Sequence, residues 1–216
     1  MNLPNNITLT RIAAIPLLLW VLRTGLLSDA NGEREIVAVS IFVLASLTDG
    51  FDGYLARKRN QVTTLGMLLD PLADKLWITA AFVSLVQFNP KMVPAWIAVL
   101  IIGREFLVSG LRSIAATQGF TIEASNLGKF KMVVQIITIV AAIFDRRWEY
   151  WQFGGFIMPI HWIGKVTIWI MVVLSLWSAI DYFAAFWSKI AGTADKRRKR
   201  RAFILSRRRK SDVAAG

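Results

Sequence analysis

Six long apolar stretches constrain this chain more than any other feature of its sequence. Each is long enough for a helix to cross about 30 Å of hydrocarbon, which takes roughly 20 residues. Because a bilayer offers no water to the backbone, a crossing stretch must satisfy its own polar groups, as a helix does. The sequence therefore predicts an all-α membrane protein with six transmembrane helices. The predicted spans are residues 8–27, 35–56, 66–88, 93–116, 128–145 and 160–187.

The composition agrees with this assignment, since 55% of the residues are hydrophobic. Cysteine is absent and His161 is the one histidine. The lack of cysteine excludes a disulfide framework, a thiolate metal site and a cysteine nucleophile. One histidine does not favour a histidine-rich zinc site or a serine–histidine relay. Any metal chemistry must therefore rely on carboxylates.

The net charge of +12 is concentrated at the C-terminus, where residues 195–216 hold ten bases and two acids. A basic tail after a hydrophobic segment is typical of attraction to an anionic cytoplasmic leaflet, and nothing else in the sequence indicates nucleic-acid binding. We predict a membrane domain over 1–190 and a basic cytoplasmic tail over 191–216. Six spans put both termini on one side, which the positive-inside rule assigns to the cytoplasm. The absence of a transit-like leader favours the cell (inner) membrane.

Four acids interrupt the second and third apolar stretches, where a carboxylate is costly unless it is paired or liganded. Asp49 and Asp52 share one face of the second helix, and Asp70 and Asp74 share one face of the third. The connection over 57–65 is short, so we expect antiparallel neighbours whose acids converge. The helical rise places them near the cytoplasmic headgroups. The prediction is an intramembrane active site that faces the cytoplasm.

Four converging negative charges repel one another unless cations lie between them. Ligation by carboxylate oxygens suits Mg²⁺ or Mn²⁺, and four carboxylates can hold two such ions. A two-metal site beside fixed cations suits attack on a phosphoryl group. Two other classes stay open at this point: a divalent-cation transporter and a scaffold that acts through its basic tail. In a purely structural alternative the acids pair with Arg57, Lys75, Arg104 and Arg112.

The residues around the acids resemble the signature of the CDP-alcohol phosphatidyltransferase family, D-x2-D-G-x2-A-R-x8-G-x3-D-x3-D. A pattern of this length with a fixed gap is far more specific than a lone glycine motif. The resemblance covers about residues 1–190 and leaves the basic tail outside. The fixed positions are occupied by Asp49, Asp52, Gly53, Ala56, Arg57, Gly66, Asp70 and Asp74.

This resemblance implies that an alcohol hydroxyl attacks the phosphorus that bears diacylglycerol in CDP-diacylglycerol, with release of CMP. It implies that the four aspartates hold two Mg²⁺ or Mn²⁺ ions, that Asp74 also takes the hydroxyl proton, and that the protein is a homodimer. In an alternative interpretation, Asn5 and Thr8 merely cap the first helix. The residues implied to bind CDP-diacylglycerol are Asn5, Thr8, Gly53, Arg57 and Thr63.

A second resemblance bears on the acceptor alcohol. Residues 104–112 resemble the R-E-F-x-x-x-G-x-R segment of phosphatidylglycerophosphate synthases, and residues 128–131 resemble their G-K-x-K turn. The implied acceptor is sn-glycerol 3-phosphate; inositol phosphate, serine and phosphatidylglycerol remain alternatives. Arg104 and Glu105 point about 100° apart on a helix, so we do not expect one local pair, and Arg104 is as well suited to neutralising another carboxylate. The cations available for the acceptor phosphate are Arg104, Arg112, Lys129 and Lys131.

Overall fold

The computed structural model of the chain describes residues 3–24, 32–58, 64–120, 127–153 and 155–214. For some residues within these ranges, the structure describes the backbone but not the side chain. Those residues are 3–7, 49–58, 64–68, 70, 127–129, 153, 156 and 191–214.

Six α-helices account for most of the described chain, and each overlaps one predicted span, with bounds that agree to about five residues except at the end of the last helix. The helical part of the prediction is therefore confirmed. The last helix is longer than expected, because it continues beyond residue 187 through the basic tail. The segment 193–214 contains neither glycine nor proline, so nothing in it breaks a helix. The helices are α1 Leu3–Arg23, α2 Glu33–Lys58, α3 Thr64–Phe88, α4 Ala95–Thr117, α5 Leu127–Asp145 and α6 Ile160–Ala214.

A short antiparallel hairpin lies between α5 and α6, where the all-α prediction expected an irregular loop. Its strands are β1 (Trp151–Phe153) and β2 (Phe156–Met158), with Phe153 opposite Phe156. Gly155 in the turn has a φ of 89°, a conformation that glycine adopts without strain. Hydropathy averaged over a long window does not detect strands of this length, although their aromatic residues favour the extended backbone.

The chain divides into two compact units, the first of which is formed by residues 1–105 and 125–175. In this unit α1 packs against α2 and α3, and α5 packs against the same two helices. A continuous apolar core fills the space between the helices. Its fully buried members include Leu18, Phe42, Trp77, Phe82, Ile101, Ile139 and Met171.

The second unit is formed by residues 106–124 and 176–216. Among the described side chains of this unit, Tyr182 and Phe186 are the buried aromatic residues. The ring of Phe120 lies against that of Phe186, with 6.2 Å between the ring centroids.

A polar network joins the ends of three helices in the first unit. Asn89, directly after α3, donates from its side-chain amide to the Ala142 carbonyl at 3.1 Å and to Asp145 Oδ2 at 2.9 Å. Asp145 Oδ1 lies 2.6 Å from His161 Nδ1 in the first turn of α6. Since Asn89 is buried, these bonds are shielded from water. They hold the ends of α3 and α5 level with each other and with the start of α6.

Gly32 leads into α2 and packs against an aromatic cluster. Its φ is 71°, and the ring of Trp148 occupies the space where a β-carbon would lie. Trp148 in turn stacks on Trp151 with 5.7 Å between ring centroids and lies edge-on to Phe144. Both the backbone conformation and the close approach of the ring therefore require glycine at this position.

Large apolar side chains are exposed on several helices, as illustrated by Leu44 at 64%, Val99 at 70% and Ile180 at 70% exposure. Extensive apolar exposure is costly in water and is expected where a helix faces lipid. By length and apolar composition, Ile160–Ile190 qualifies as a membrane-spanning helix among the described residues. The number of spans stays a prediction.

Candidate active site

The two helices that carry the four acids contact each other directly. The ring of Phe42 on α2 stacks on that of Trp77 on α3, with centroids 5.6 Å apart and planes 8° from parallel. Trp77 Nε1 also donates a hydrogen bond to Ser46 Oγ on α2 at 3.2 Å. Ser46 and Trp77 are separated from the α2–α3 connection by nearly equal lengths of helix. The helices are therefore antiparallel in this region, as the short connection predicted.

This contact fixes the level of two of the acids along the helices. Asp49 comes three residues after Ser46, and Asp74 comes three residues before Trp77. The helical rise therefore places both residues about 4.5 Å closer to the α2–α3 connection than the Trp77–Ser46 hydrogen bond. The backbone register thus brings one acid from each helix to the same level.

The side chain of Asp74 is described and is exposed. Asp49 and Asp52 lie in α2 and Asp70 lies in α3, but their side chains are outside the described part of the structure. Among the described side chains, no group of three or more His, Asp or Glu residues is placed to hold a metal ion. Because only one of the four predicted ligands belongs to that set, the metal site stays a prediction.

A cluster of charged side chains brings α3, α4 and α5 together. Lys131 on α5 forms an ion pair with Glu105 Oε1 on α4, and Arg104 donates to the same oxygen at 3.2 Å. The charges of Arg104 and Asp74 also act on Lys131, so Asp74 of α3 lies within electrostatic range of this lysine. The side chains of Arg104 and Lys131 are only 11% and 10% exposed. Two predicted acceptor-binding cations therefore meet on Glu105, and one of them, Lys131, interacts electrostatically with the predicted catalytic aspartate.

The expectation that Arg104 and Glu105 do not form a local pair was wrong. Their Cα–Cβ directions diverge on the helix, but both stems are long and flexible, and the head groups meet at 3.2 Å. Glu105 is a residue of this cluster that was not predicted from the sequence. The available signal was that Glu105 is the only acid of α4, since an ionisable residue within a membrane helix is a functional hypothesis by default.

Arg112, the third of the predicted acceptor residues, belongs to the second unit. It donates a hydrogen bond to the Tyr182 hydroxyl, and its guanidinium carbon lies 4.8 Å from the centroid of the Tyr182 ring. The remaining acceptor candidate, Lys129, lies in α5 with its side chain outside the described part.

The predicted nucleotide-binding residues fall mostly outside the described side chains. Thr63 lies outside the described residues altogether, and only the backbone is described for Asn5, Gly53 and Arg57. Thr8 is buried, with 2% exposure. The alternative interpretation as helix caps was wrong for Asn5 and Thr8, because α1 already begins at Leu3 and both residues lie within it.

Comparison with known proteins identifies the family. The sequence profile of the CDP-alcohol phosphatidyltransferases matches residues 1–185. The chain belongs to the CDP-alcohol phosphatidyltransferase family. The match confirms the resemblance inferred from the eight-residue signature and ends before the basic tail. Members of this family are integral membrane enzymes, so neither the transporter hypothesis nor the scaffold hypothesis is retained.

Several curated relatives share the name CDP-diacylglycerol–glycerol-3-phosphate 3-phosphatidyltransferase. The protein from Bacillus subtilis is 37% identical over 88% of this chain and 97% of its own length. The protein from Rickettsia bellii is 35% identical over 85% of this chain and 94% of its own. The protein from Salmonella choleraesuis is 31% identical, with the same two coverages of 85% and 94%.

A solved structure shares the fold. The crystal structure of Mycobacterium tuberculosis phosphatidylinositol phosphate synthase, in complex with manganese and citrate, superimposes with a TM-score of 0.58. The match covers 84% of this chain and 82% of that chain at 18% sequence identity. At this identity the likeness establishes the fold alone.

Proposed function

We propose that this chain transfers the phosphatidyl group of CDP-diacylglycerol to sn-glycerol 3-phosphate and forms phosphatidylglycerophosphate and CMP. Membership of the family supports the reaction class, and the shared name of the curated relatives supports the acceptor. The structural observation that carries the acceptor assignment is the cluster of Arg104, Glu105 and Lys131, with Lys131 in electrostatic range of Asp74.

The cluster is suited to a phosphate dianion. Arg104 offers five N–H donors and Lys131 offers three, which is more than the carboxylate of Glu105 can accept. Both cations lie on α4 or α5 with little exposure, so a bound phosphate would be shielded from water and salt. Glu105 is the residue that holds the two head groups together across the helices. An acceptor without a phosphate, such as serine, has no dianion for these two cations to bind.

Asp74 is proposed as the base. Its side chain is exposed and lies within electrostatic range of Lys131 of the acceptor cluster, which supports this role. In the transfer step the hydroxyl oxygen forms a bond to the phosphorus that carries diacylglycerol. The bond from that phosphorus to the oxygen of CMP breaks, CMP leaves with the bonding electrons, and Asp74 takes the hydroxyl proton.

The donor set fits a pair of divalent cations, since four carboxylates on two antiparallel helices provide oxygen ligands of the kind that Mg²⁺ and Mn²⁺ prefer. Asp49, Asp52, Asp70 and Asp74 would hold the two ions. Bound metal would neutralise the pyrophosphate and stabilise the charge on the attacking and leaving oxygens. Asp49 and Asp74 lie at the same level, both on the connection side of the Trp77–Ser46 bond, which supports this assignment.

The nucleotide site is proposed to involve residues of α1, α2 and the connection that follows α2. Gly53, Arg57 and Thr63 would contact the cytidine nucleotide and its pyrophosphate, and Asn5 and Thr8 of α1 would close the pocket. Thr8 is buried, and α1 packs against both helices that carry the acids, which supports this part of the proposal. Arg112 and Lys129 complete the proposed acceptor residues.

We also propose a six-span topology with both termini in the cytoplasm, a homodimer, and a basic tail at the anionic leaflet. The exposed apolar surface of the helices supports a membrane location. The positive-inside rule supports the orientation, because ten of the bases lie in the last 22 residues.

The decisive assay measures CMP release by the purified full-length protein in detergent, with CDP-diacylglycerol and Mg²⁺. Glycerol 3-phosphate, inositol phosphate, serine and a reaction without acceptor are compared. Asp74→Asn tests the base, and Asp181→Asn, which changes an exposed acid of α6, is the matched control.

We expect release with glycerol 3-phosphate alone, abolished in Asp74→Asn and retained in Asp181→Asn. Release with inositol phosphate or serine, but not with glycerol 3-phosphate, would overturn the acceptor assignment while keeping the reaction class. Full activity of Asp74→Asn would overturn the role of Asp74.

A further inference from the structure

A buried polar stripe runs along α5. Met132, Val133 and Ile137 are between 41% and 53% exposed and form the outward side of the helix. The opposite side carries Lys131 and Gln135, which are 8% and 6% exposed, and beyond them a fully buried threonine. Within a membrane helix, an ionisable residue on the buried side, such as Lys131, is a functional hypothesis by default.

The polar groups of this stripe differ in how they are satisfied. The buried threonine, Thr138, donates its hydroxyl to the Val134 carbonyl at 2.8 Å. Lys131 is paired with Glu105. Gln135 Nε2, by contrast, has no hydrogen-bond partner within the described part of the chain. A buried amide donor without a partner is costly, so a group from outside the described protein is expected to accept its hydrogen bond.

The position of Gln135 links it to the acceptor cluster. It follows Lys131 by four residues and lies on the same side of α5, about 6 Å further along the helix axis. The hydrogen bonds of Asn89 hold the C-terminal ends of α3 and α5 level with each other. Asp74 on α3 and Lys131 on α5 precede these ends by nearly equal lengths of helix. Gln135 therefore lies one helical turn closer to the C-terminal ends of α3 and α5 than Lys131 and Asp74 do.

We propose that Gln135 is a specificity-determining residue of the acceptor site: its buried, unpartnered side-chain amide donates a hydrogen bond to the non-reacting hydroxyl of the glycerol phosphate, while Arg104 and Lys131 hold the phosphate. This inference rests on the proposed function. A neutral amide suits a neutral hydroxyl, whereas the two cations suit the phosphate. The site therefore selects a polyol phosphate over a phosphate with a single hydroxyl, because the latter leaves Gln135 unpaired.

The test compares two acceptors in the CMP-release assay with full-length protein. The first is sn-glycerol 3-phosphate, and the second is 3-hydroxypropyl phosphate, which keeps the reacting hydroxyl and the phosphate but lacks the hydroxyl at C2. The variants are Gln135→Met, which keeps the length of the side chain, and Gln135→Asn, which keeps the amide but draws it back. Thr138→Val is the matched control, since that hydroxyl is already bonded within its own helix. The inhibition constant of inorganic phosphate reports on the cations alone.

The wild type and Thr138→Val should favour glycerol 3-phosphate over 3-hydroxypropyl phosphate by about 10-fold in kcat/KM, the effect of one hydrogen bond. In Gln135→Met the preference should vanish, while the KM for CDP-diacylglycerol and the inhibition constant of phosphate stay within about 2-fold. Gln135→Asn should lose most of the preference for glycerol 3-phosphate. If Gln135→Met does not fold, the Asn variant still allows the two acceptors to be compared. An unchanged preference in either Gln135 variant would overturn this inference. A wild type that is inactive with glycerol 3-phosphate would instead overturn the proposed function.

Discussion

Replacement of Lys131 by methionine tests the acceptor cluster most directly. Methionine matches the length of the lysine stem and keeps its apolar contacts, so the change removes the charge and its donors. Glu105 keeps Arg104 as a partner and is not left as a lone buried charge. A hydrogen bond to a charged group contributes about 1.5–3 kcal/mol, which corresponds to a rise in the KM for glycerol 3-phosphate of about 10- to 150-fold. The burial of Lys131 favours the upper part of this range, because solvent screens the interaction little.

The measurement is initial-rate CMP release at saturating CDP-diacylglycerol, with glycerol 3-phosphate varied over three orders of magnitude. Lys91→Met, which removes an exposed lysine between α3 and α4, is the matched control and should leave the KM unchanged. A rise of less than about 3-fold in Lys131→Met would refute the assignment of this cluster to the acceptor phosphate. An equal rise in the KM for CDP-diacylglycerol would refute it as well, since the effect would then be general.

Three further changes test how the fold supports the site. Asn89→Ala removes the buried hydrogen bonds that hold the ends of α3 and α5 level. The free energy of unfolding should fall by about 2 kcal/mol, which lowers the apparent Tm in detergent by about 4–8 °C. An unchanged Tm would contradict that role. Gly32→Ala should destabilise the protein more than Gly119→Ala does. Both changes force a side chain into the left-handed region, but only the alanine at position 32 collides with Trp148. Equal melting temperatures of the two variants would argue against the collision. Trp77→Phe removes about 1 kcal/mol of hydrogen bonding between α2 and α3 and should lower kcat while the acceptor KM stays constant; a fall in acceptor affinity alone would contradict this.

The sequence predicted the helices well because the pattern that encodes them is local. Runs of apolar residues broken by polar connections located all six helices to within about five residues, apart from the extension of α6 through the tail. The short connection over 57–65 predicted that α2 and α3 are antiparallel. The eight-residue signature identified the family, since the chemistry requires fixed residue types at fixed intervals.

The short hairpin between α5 and α6 was missed because a window suited to membrane helices averages over such strands. The pairing of Arg104 with Glu105 was also missed, since helix geometry fixes the direction of Cβ but not the reach of a long side chain. The hydropathy window was longer than the strands, and the direction of Cβ was extended to the ends of long side chains.

The sequence by itself determined the helices, the family and the kind of chemistry, because each depends on residue type and spacing along the chain. Only the tertiary structure decided which charges meet: Lys131 pairs with Glu105 across two helices, and Lys131 also lies within electrostatic range of Asp74 on a third. The structure also showed that Gln135 lies buried next to this cluster with an unmatched amide. Contacts between distant segments depend on how the helices are rotated and levelled against one another, and bonds such as those of Asn89 set that arrangement only once the chain has folded.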